Sequence, residues 1–389
     1  MKLLFVHDHI FVTGGGKVYS NTFPYELLRR YIDMGLEVTV VARCRETGTA
    51  PELPVASGSG VSFVFLENIA SFKAFFGARQ RQRQRLTTLV ATHDYVIARV
   101  PSEFGLMAAA IARRLNKPCL LEVVGCAWDA MWYYGSLKAR LYAPLLYVRM
   151  RRAVRQVHYV SYVTEGFLQH RYPPGPNAMT AAISDIILPD ADEAVLRGRI
   201  EKINHPEAKP VLGTIANLGL AYKGVDVAIR AMAVIKSRGI DIEYRVLGGG
   251  DPDRYRALAA RLGIDGDVHF DGNVPGGDAV YRWLDAIDLY LQPSLTEGLP
   301  RSLIEAMSRG CPAVGANVGG IPELLDETVL FRHTAPQQLV SLIIALLNDR
   351  LRMRQAAKRN FDVARQYENA RLGVQRRVFL ERFFNEQRY

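Results

Sequence analysis

Thr296-Glu297-Gly298-Leu299-Pro300-Arg301-Ser302-Leu303-Ile304-Glu305 decides how this chain is read. It follows an apolar run over 289–292 with the length of a buried strand, and it opens a helical pattern that ends at Gly310. Glu297 therefore falls in a strand-to-helix turn, and Glu305 falls about two helical turns further on. Both carboxylates can face one crevice outside the carboxyl ends of the strands, where open α/β sheets bind ligands. Pro300 suits the first helical position, since its missing N–H is one that a helix start leaves unpaired. The N–H groups of Arg301, Ser302 and Leu303 then point into the crevice, and an anion there gains from the positive end of the helix. Arg301 and Glu305 are four residues apart on one face. That spacing fits a local ion pair worth about 0.2–0.5 kcal/mol. It equally fits a division of labour in which Arg301 meets phosphate and Glu305 accepts the vicinal hydroxyls of a ribose.

Around this stretch, strands and helices alternate. Strands are expected at 211–216, 243–247, 268–270, 289–292 and 313–316, with helices at 222–238, 253–262, 279–287 and 300–309. Such alternation predicts a parallel sheet covered by helices on both faces. Lys223 sits in Ala221-Tyr222-Lys223-Gly224, just after the first of these strands, where an ammonium can reach a diphosphate. The second strand ends in Gly248-Gly249-Gly250-Asp251, and Gly319-Gly320-Ile321-Pro322 opens a short helix. Residues 336–389 read as largely helical.

The first half follows a similar plan, with strands at 2–6, 37–42, 95–100, 119–124 and 159–163. Between the first strand and a helical pattern over 17–34 lies Thr13-Gly14-Gly15-Gly16, and Pro24 marks a kink or restart of that helix. Gly15 and Gly16 would let backbone N–H groups approach a phosphate at a helix N-terminus, or would simply form a flexible turn. Gly125-Cys126-Ala127-Trp128-Asp129-Ala130-Met131-Trp132 follows another strand, with Asp129 its one ionisable side chain. Asp129 fits an acceptor pocket and fits an N-cap. Residues 190–206, polar and mixed, are the candidate linker. The expected organisation is a domain over 1–205, a second over 206–370, and a terminal helix over 371–389 that returns to the first.

The net charge of +10 is unevenly placed, with 25 Lys and Arg against 17 Asp and Glu in residues 1–205, and 24 against 22 thereafter. One basic segment carries Phe72, Phe75 and Phe76 ahead of Arg79, Arg81, Arg83 and Arg85; a second lies over 137–156. Aromatic and basic residues together suit an anionic membrane surface, and a solvated basic face is the plainer reading. Nucleic acid is not expected, because paired carboxylates do not help to hold a phosphate backbone. Four cysteines (Cys44, Cys119, Cys126, Cys311) lack metal spacing and read as reduced thiols of a cytosolic protein. The start is too short an apolar run for a signal peptide, and no window is long enough for a spanning helix. A cytoplasmic protein peripheral to the inner face of the plasma membrane is therefore expected.

Taken in order, Gly14–Gly16, Lys223 in its Tyr-Lys-Gly turn, Gly248–Asp251, the Glu297/Glu305 pair and Gly319–Glu323 resemble glycosyltransferase family 4, the retaining transferases of the GT-B fold. The likeness covers about the whole chain and is strongest over 210–330. Glu297–Gly310 most resembles members that build polysaccharide and lipopolysaccharide. The resemblance implies an α/β architecture of two Rossmann-like domains facing a cleft, with C-terminal helices packing back on the first. It implies a nucleotide-sugar donor, UDP-linked before GDP-linked, and a lipid-linked or saccharide acceptor, with no metal or other cofactor required. Glu297, Lys223 and Asp129 would be catalytic. Gly15, Gly16, Asn217, Lys223, Gly249, Glu297, Gly298, Leu299, Arg301 and Glu305 would bind the donor. Two positions depart from the pattern. Members usually carry an Arg where this chain has Asn217, and Arg301 is the candidate replacement. Many carry a His in the loop where this chain offers Asp129. A nucleotide-sugar epimerase of the same fold and a catalytically silent binding protein are the alternatives.

Overall fold

The structure is a computed structural model, described here for residues 1–68, 78–207 and 209–385. In chain order to residue 182 the elements are β1 (Lys2–Gly14), β2 (Lys17–Tyr19), α1 (Tyr25–Ile32), β3 (Glu37–Glu46), β4 (Val61–Phe65), α2 (Ala78–Thr92), β5 (Tyr95–Val100), α3 (Glu103–Arg114), β6 (Cys119–Val123), α4 (Ala127–Trp132), α5 (Leu137–Gln156), β7 (Tyr159–Tyr162), α6 (Phe167–Arg171) and β8 (Met179–Ala182). There follow α7 (Glu193–Asn204), β9 (Val211–Ile215), α8 (Val225–Ser237), β10 (Glu243–Leu247), α9 (Asp253–Arg261), β11 (Val268–Gly272), α10 (Asp278–Ala286), β12 (Leu289–Gln292), α11 (Arg301–Ser308), β13 (Ala313–Ala316), α12 (Ile321–Leu324), β14 (Leu330–Phe331), α13 (Pro336–Leu347), α14 (Arg350–Ala364) and α15 (Asn369–Asn385).

These elements gather into two compact units. The first holds Met1–Ala127, Pro144–Ile183 and the chain from Arg377 onward; the second holds Trp128–Ala143 and Ser184–Arg376. The first sheet runs β4-β3-β1-β5-β6-β7-β8, with β2 antiparallel on β1 and the other pairings parallel. The second runs β11-β10-β9-β12-β13-β14, parallel throughout. Central strands of such sheets are covered on both faces and read as continuous apolar runs. Accordingly all six residues of β5 and all four of β12 are buried. Helix α8 supplies cover for the second sheet with Val225, Ala228, Ile229, Met232 and Ile235, a 3.6-residue stripe turned inward. In that sheet β10 leaves β9 on one side and β12 lies on the other, so the strand order reverses between β9 and β12.

Three expectations change. The Gly14–Gly16 run does not open a helix. Gly14 pairs with Lys17, so Gly15 and Gly16 are the two turn residues of the β1–β2 hairpin, with φ of +56° and +74°. Positive φ at both central residues is what a type I′ hairpin turn demands, and glycine supplies it without strain. Helix α1 begins only at Tyr25, directly after Pro24.

Residues 190–206 are not a loose linker either. They contain α7, which belongs to the second unit. Arg199 is 4% exposed and donates to the carbonyls of Leu284 (2.7 Å), Ile287 (2.5 Å) and Arg309 (3.2 Å), at the ends of α10 and α11. Helix C-termini leave carbonyls unpaired, and one buried guanidinium satisfies three of them. The division between units thus falls after Ile183 rather than after 205. The end of α15 lies with the first unit, where Phe383 packs edge-on against Tyr95 and Tyr159 and the Tyr95 hydroxyl donates to the Phe384 carbonyl at 2.8 Å.

Candidate active site

The reversal between β9 and β12 brings two turns together that are 74 residues apart in sequence. A short turn, Ala221–Lys223, follows β9; the turn carrying Glu297 follows β12. They are joined by the Leu295 N–H, which donates to the Tyr222 carbonyl at 2.7 Å. Gly224 lies between them at φ +71°, and a Cβ there would sit 2.0 Å from the Pro293 carbonyl oxygen, so only glycine fits. The result is an ion pair of 2.7 Å between Lys223 Nζ and Glu297 Oε1. Burial works against the Lys223 ammonium, but the Glu297 carboxylate outweighs it and holds the lysine above its ordinary pKa.

Glu297 is held by more than Lys223. The Ser294 hydroxyl (2.7 Å) and the Gln292 amide (3.1 Å) donate to the same oxygen, Oε1. Behind the turn, the Gly320 N–H donates to the Gly298 carbonyl at 2.8 Å. A Cβ on Gly319, at φ +59°, would fall 2.1 Å from the Glu297 carbonyl oxygen. The Gly319–Pro322 segment is therefore the backing of the Glu297 turn. Leu299 is buried, and its side chain belongs to the core.

Helix α11 begins at Arg301, with Pro300 as its N-cap rather than its first helical residue. Arg301 is exposed, and no ion pair within 4 Å joins it to Glu305, so the local-pair role is set aside. Glu305 is partly buried, and burial pushes its carboxyl up to about 7, with Arg301 drawing it back down. A carboxylate raised in this way lacks the hydrogen-bond donors that would stabilise its charge. Asn217 does not replace a cation, because its Oδ1 accepts from the Gly219 N–H at 2.9 Å and folds the side chain onto its own loop. Gly249 accepts from the Leu218 N–H at 2.8 Å, and a Cβ there would strike the Asn273 amide. Glycine in Gly248–Gly250 thus lets this loop lie against the one after β9.

Asp129 is the third residue of α4 and so is not its N-cap. Its Oδ2 accepts from the Thr296 hydroxyl at 3.4 Å, which puts it beside the Glu297 turn within the second unit. Gly15 and Gly16 lie in the first unit.

The basic segments fare unequally. Phe72, Phe75 and Phe76 lie outside the described residues. Arg79 is not a free surface cation, since it pairs with Glu103 at 3.3 Å, as does Arg149 at 2.8 Å. Arg81 reaches Glu67 at 3.5 Å, whereas Arg83 and Arg85 are exposed. No described helix is long and apolar enough to cross a membrane. Gln292 and Ser294 went unnoticed in the sequence. Their one signal was a polar residue ending an apolar strand before a proline.

With this geometry in place, residues 198–362 match the family model described as Glycosyl transferases group 1. The chain is 29% identical over 347 residues to the protein CapJ of Staphylococcus aureus, covering 88% of this chain and 85% of that one. It is 37% identical over 116 residues to the amylovoran biosynthesis glycosyltransferase AmsK of Erwinia amylovora, a match spanning 28% of each. Among solved structures, HepE of Anabaena in complex with UDP superposes with a TM-score of 0.66 at 17% identity, covering 98% of this chain and 100% of that one. The two parallel-sheet α/β units agree with the GT-B fold. The second unit carries a glycosyltransferase group 1 domain over residues 198–362, and the chain is a glycosyltransferase.

Proposed function

We propose that this glycosyltransferase is a retaining member of family 4 that moves a sugar from a nucleotide-sugar, UDP-linked in preference to GDP-linked, to a lipid-linked or saccharide acceptor in polysaccharide synthesis. The observation that carries this is the meeting of Lys223 and Glu297 at 2.7 Å where the strand order reverses, with the N-terminus of α11 on the same turn. UDP bound to HepE and the naming of AmsK for amylovoran biosynthesis support the donor type and the pathway class. Neither the epimerase nor the silent binder is favoured by any feature of the site.

In this reading Glu305 accepts the ribose hydroxyls and Glu297 meets the donor sugar. An ammonium has three donors. Lys223 gives one to Glu297 and keeps two for the diphosphate. The bond from the sugar's anomeric carbon to the diphosphate breaks, with its electron pair passing to the phosphate oxygen. The acceptor oxygen bonds to that carbon on the same face, and its proton passes to the departing phosphate. Lys223, Arg301 and the α11 N–H groups neutralise the charge that develops there, the kind of preorganised stabilisation that is the largest single contribution in many enzymes. Asp129 would orient the acceptor hydroxyl, a role supported by its contact with Thr296 beside the Glu297 turn.

The reaction is assigned to an anionic membrane surface. Support comes from α5, where Leu145 and Val148 are exposed one turn apart and continue into exposed Arg151, Arg152 and Arg155. No acidic residue occurs from 130 to 164 to offset them.

The test is a panel of UDP-, GDP- and ADP-sugars, with and without lipid-diphosphate acceptors, following melting temperature, nucleotide release and the anomeric configuration of the product. Consumption of one donor class with retained configuration is expected. If no donor shifts the melting temperature and none is consumed, the assignment fails.

A further inference from the structure

The hydrogen bonds around Glu297 are asymmetric. Lys223, Ser294 and Gln292 all donate to Oε1, and Oε2 takes no hydrogen bond among the described residues. One oxygen is therefore anchored while its twin is left for a ligand. The anchor is itself held from behind. Gln292 is 1% exposed, at the end of β12. Its Oε1 accepts from the Tyr290 hydroxyl (3.2 Å) and the Ser302 hydroxyl (3.4 Å). The Tyr290 hydroxyl in turn accepts from the Ile215 N–H at 3.3 Å while donating to Gln292. An amide with two donors aimed at its oxygen has one orientation, and that orientation turns Nε2–H toward Ser294 (2.9 Å) and Glu297 (3.1 Å). Such fully satisfied buried networks fix a single geometry.

We propose that Gln292 is a positioning residue for Glu297, set by Tyr290 and Ser302, which dictates that Oε2 is the oxygen presented to the donor sugar. Ser302 lies in the first turn of α11, the helix whose N-terminus is assigned to the nucleotide phosphates. One amide thus ties the nucleotide end of the site to the sugar end. The inference rests on the reading that Glu297 meets the donor sugar.

The test uses the full chain and the variants Gln292→Met, Gln292→Glu and Tyr290→Phe. The donor is whichever sugar nucleotide of the panel the wild type consumes, with its free nucleotide as control. Gln292→Met should leave free-nucleotide affinity within about twofold. It should lower kcat, and the extra affinity gained from the sugar, by at least about tenfold, or 1.4 kcal/mol. Tyr290→Phe, which frees the amide to flip, should give the same pattern more weakly. Gln292→Glu sets a second carboxyl against Glu297. Its activity should recover as pH falls and one of the two takes a proton, a profile that a merely loosened fold would not produce. Wild-type kcat and sugar preference in Gln292→Met would overturn the inference, as would equal loss of free-nucleotide and donor binding. If the wild type consumes no donor, the reading of Glu297 fails first and this inference falls with it, an outcome distinct from failure in the variants alone.

Discussion

Replacing Glu305 with Gln separates the cost of burying a carboxyl from its use. The Glu305 carboxyl ionises at about 7 in the folded chain against an ordinary 4.5, because burial disfavours its charge. Between those values the folded chain keeps a proton that the unfolded chain has already released. Stability contributed by this group therefore falls as pH rises from about 4.5 and levels off above 7. At 1.36 kcal/mol per pH unit the loss amounts to roughly 3 kcal/mol. Glutamine resembles the protonated acid and does not incur it. The variant and wild type should be nearly equal in stability at pH 4.5 and should differ by roughly 3 kcal/mol in the variant's favour at pH 8. Urea unfolding of both proteins at pH 4.5, 6 and 8 reads that divergence directly. In the same preparations UDP affinity at pH 8 should fall by about tenfold, since a charged acceptor of ribose hydroxyls is replaced by a neutral one. Parallel stability-against-pH curves would refute the burial argument. Unchanged UDP affinity would refute the ribose role even if the stability prediction held.

Gly319→Ala should push the Glu297 turn out of place, because the new methyl meets the Glu297 carbonyl oxygen; displacement of about 1 Å typically costs on the order of 100-fold in kcat, to be read in a donor-consumption assay. Arg199→Met should strand three buried carbonyls at the ends of α10 and α11 and destabilise the second unit by about 2–4 kcal/mol, measured as a lowered urea midpoint. Exchanging Leu145 and Val148 for Ser, with Arg151, Arg152 and Arg155 for Gln, should release the protein from phosphatidylserine vesicles in a sedimentation assay. Arg79→Gln should bind them as the wild type does, since that guanidinium is engaged by Glu103; the opposite ranking would return the membrane contact to α2.

Much of the second unit was legible because its signals are local. Val225, Ala228, Ile229, Met232 and Ile235 repeat at helical spacing, and β12 is a short apolar run closed by Pro293. The first unit was harder where one local pattern served two geometries. Three glycines after an apolar run permit a phosphate loop or a hairpin turn, and pairing of Gly14 with Lys17 settles it as a hairpin. Residues 190–206 look polar on average, and composition does not reveal that one arginine among them caps two distant helices. Gln292 was invisible for a related reason, since its partners Tyr290, Ser302 and Glu297 converge only once β12 and α11 are packed.

The sequence by itself determined the alternating plan of the second half, the spacing of Glu297 and Glu305, and the lysine that follows a strand. Those features depend on periodicity and on turn chemistry within a few residues. Tertiary structure alone decided that Lys223 and Glu297 face each other. Their meeting depends on β12 taking the place beside β9 on the side away from β10, and strand order is fixed by long-range packing of buried surfaces. It likewise decided which oxygen of Glu297 is anchored and which is left open, because Lys223 arrives from a turn 74 residues away and the nearby Gln292 and Ser294 converge on the same oxygen only through the way the turn after β12 folds back.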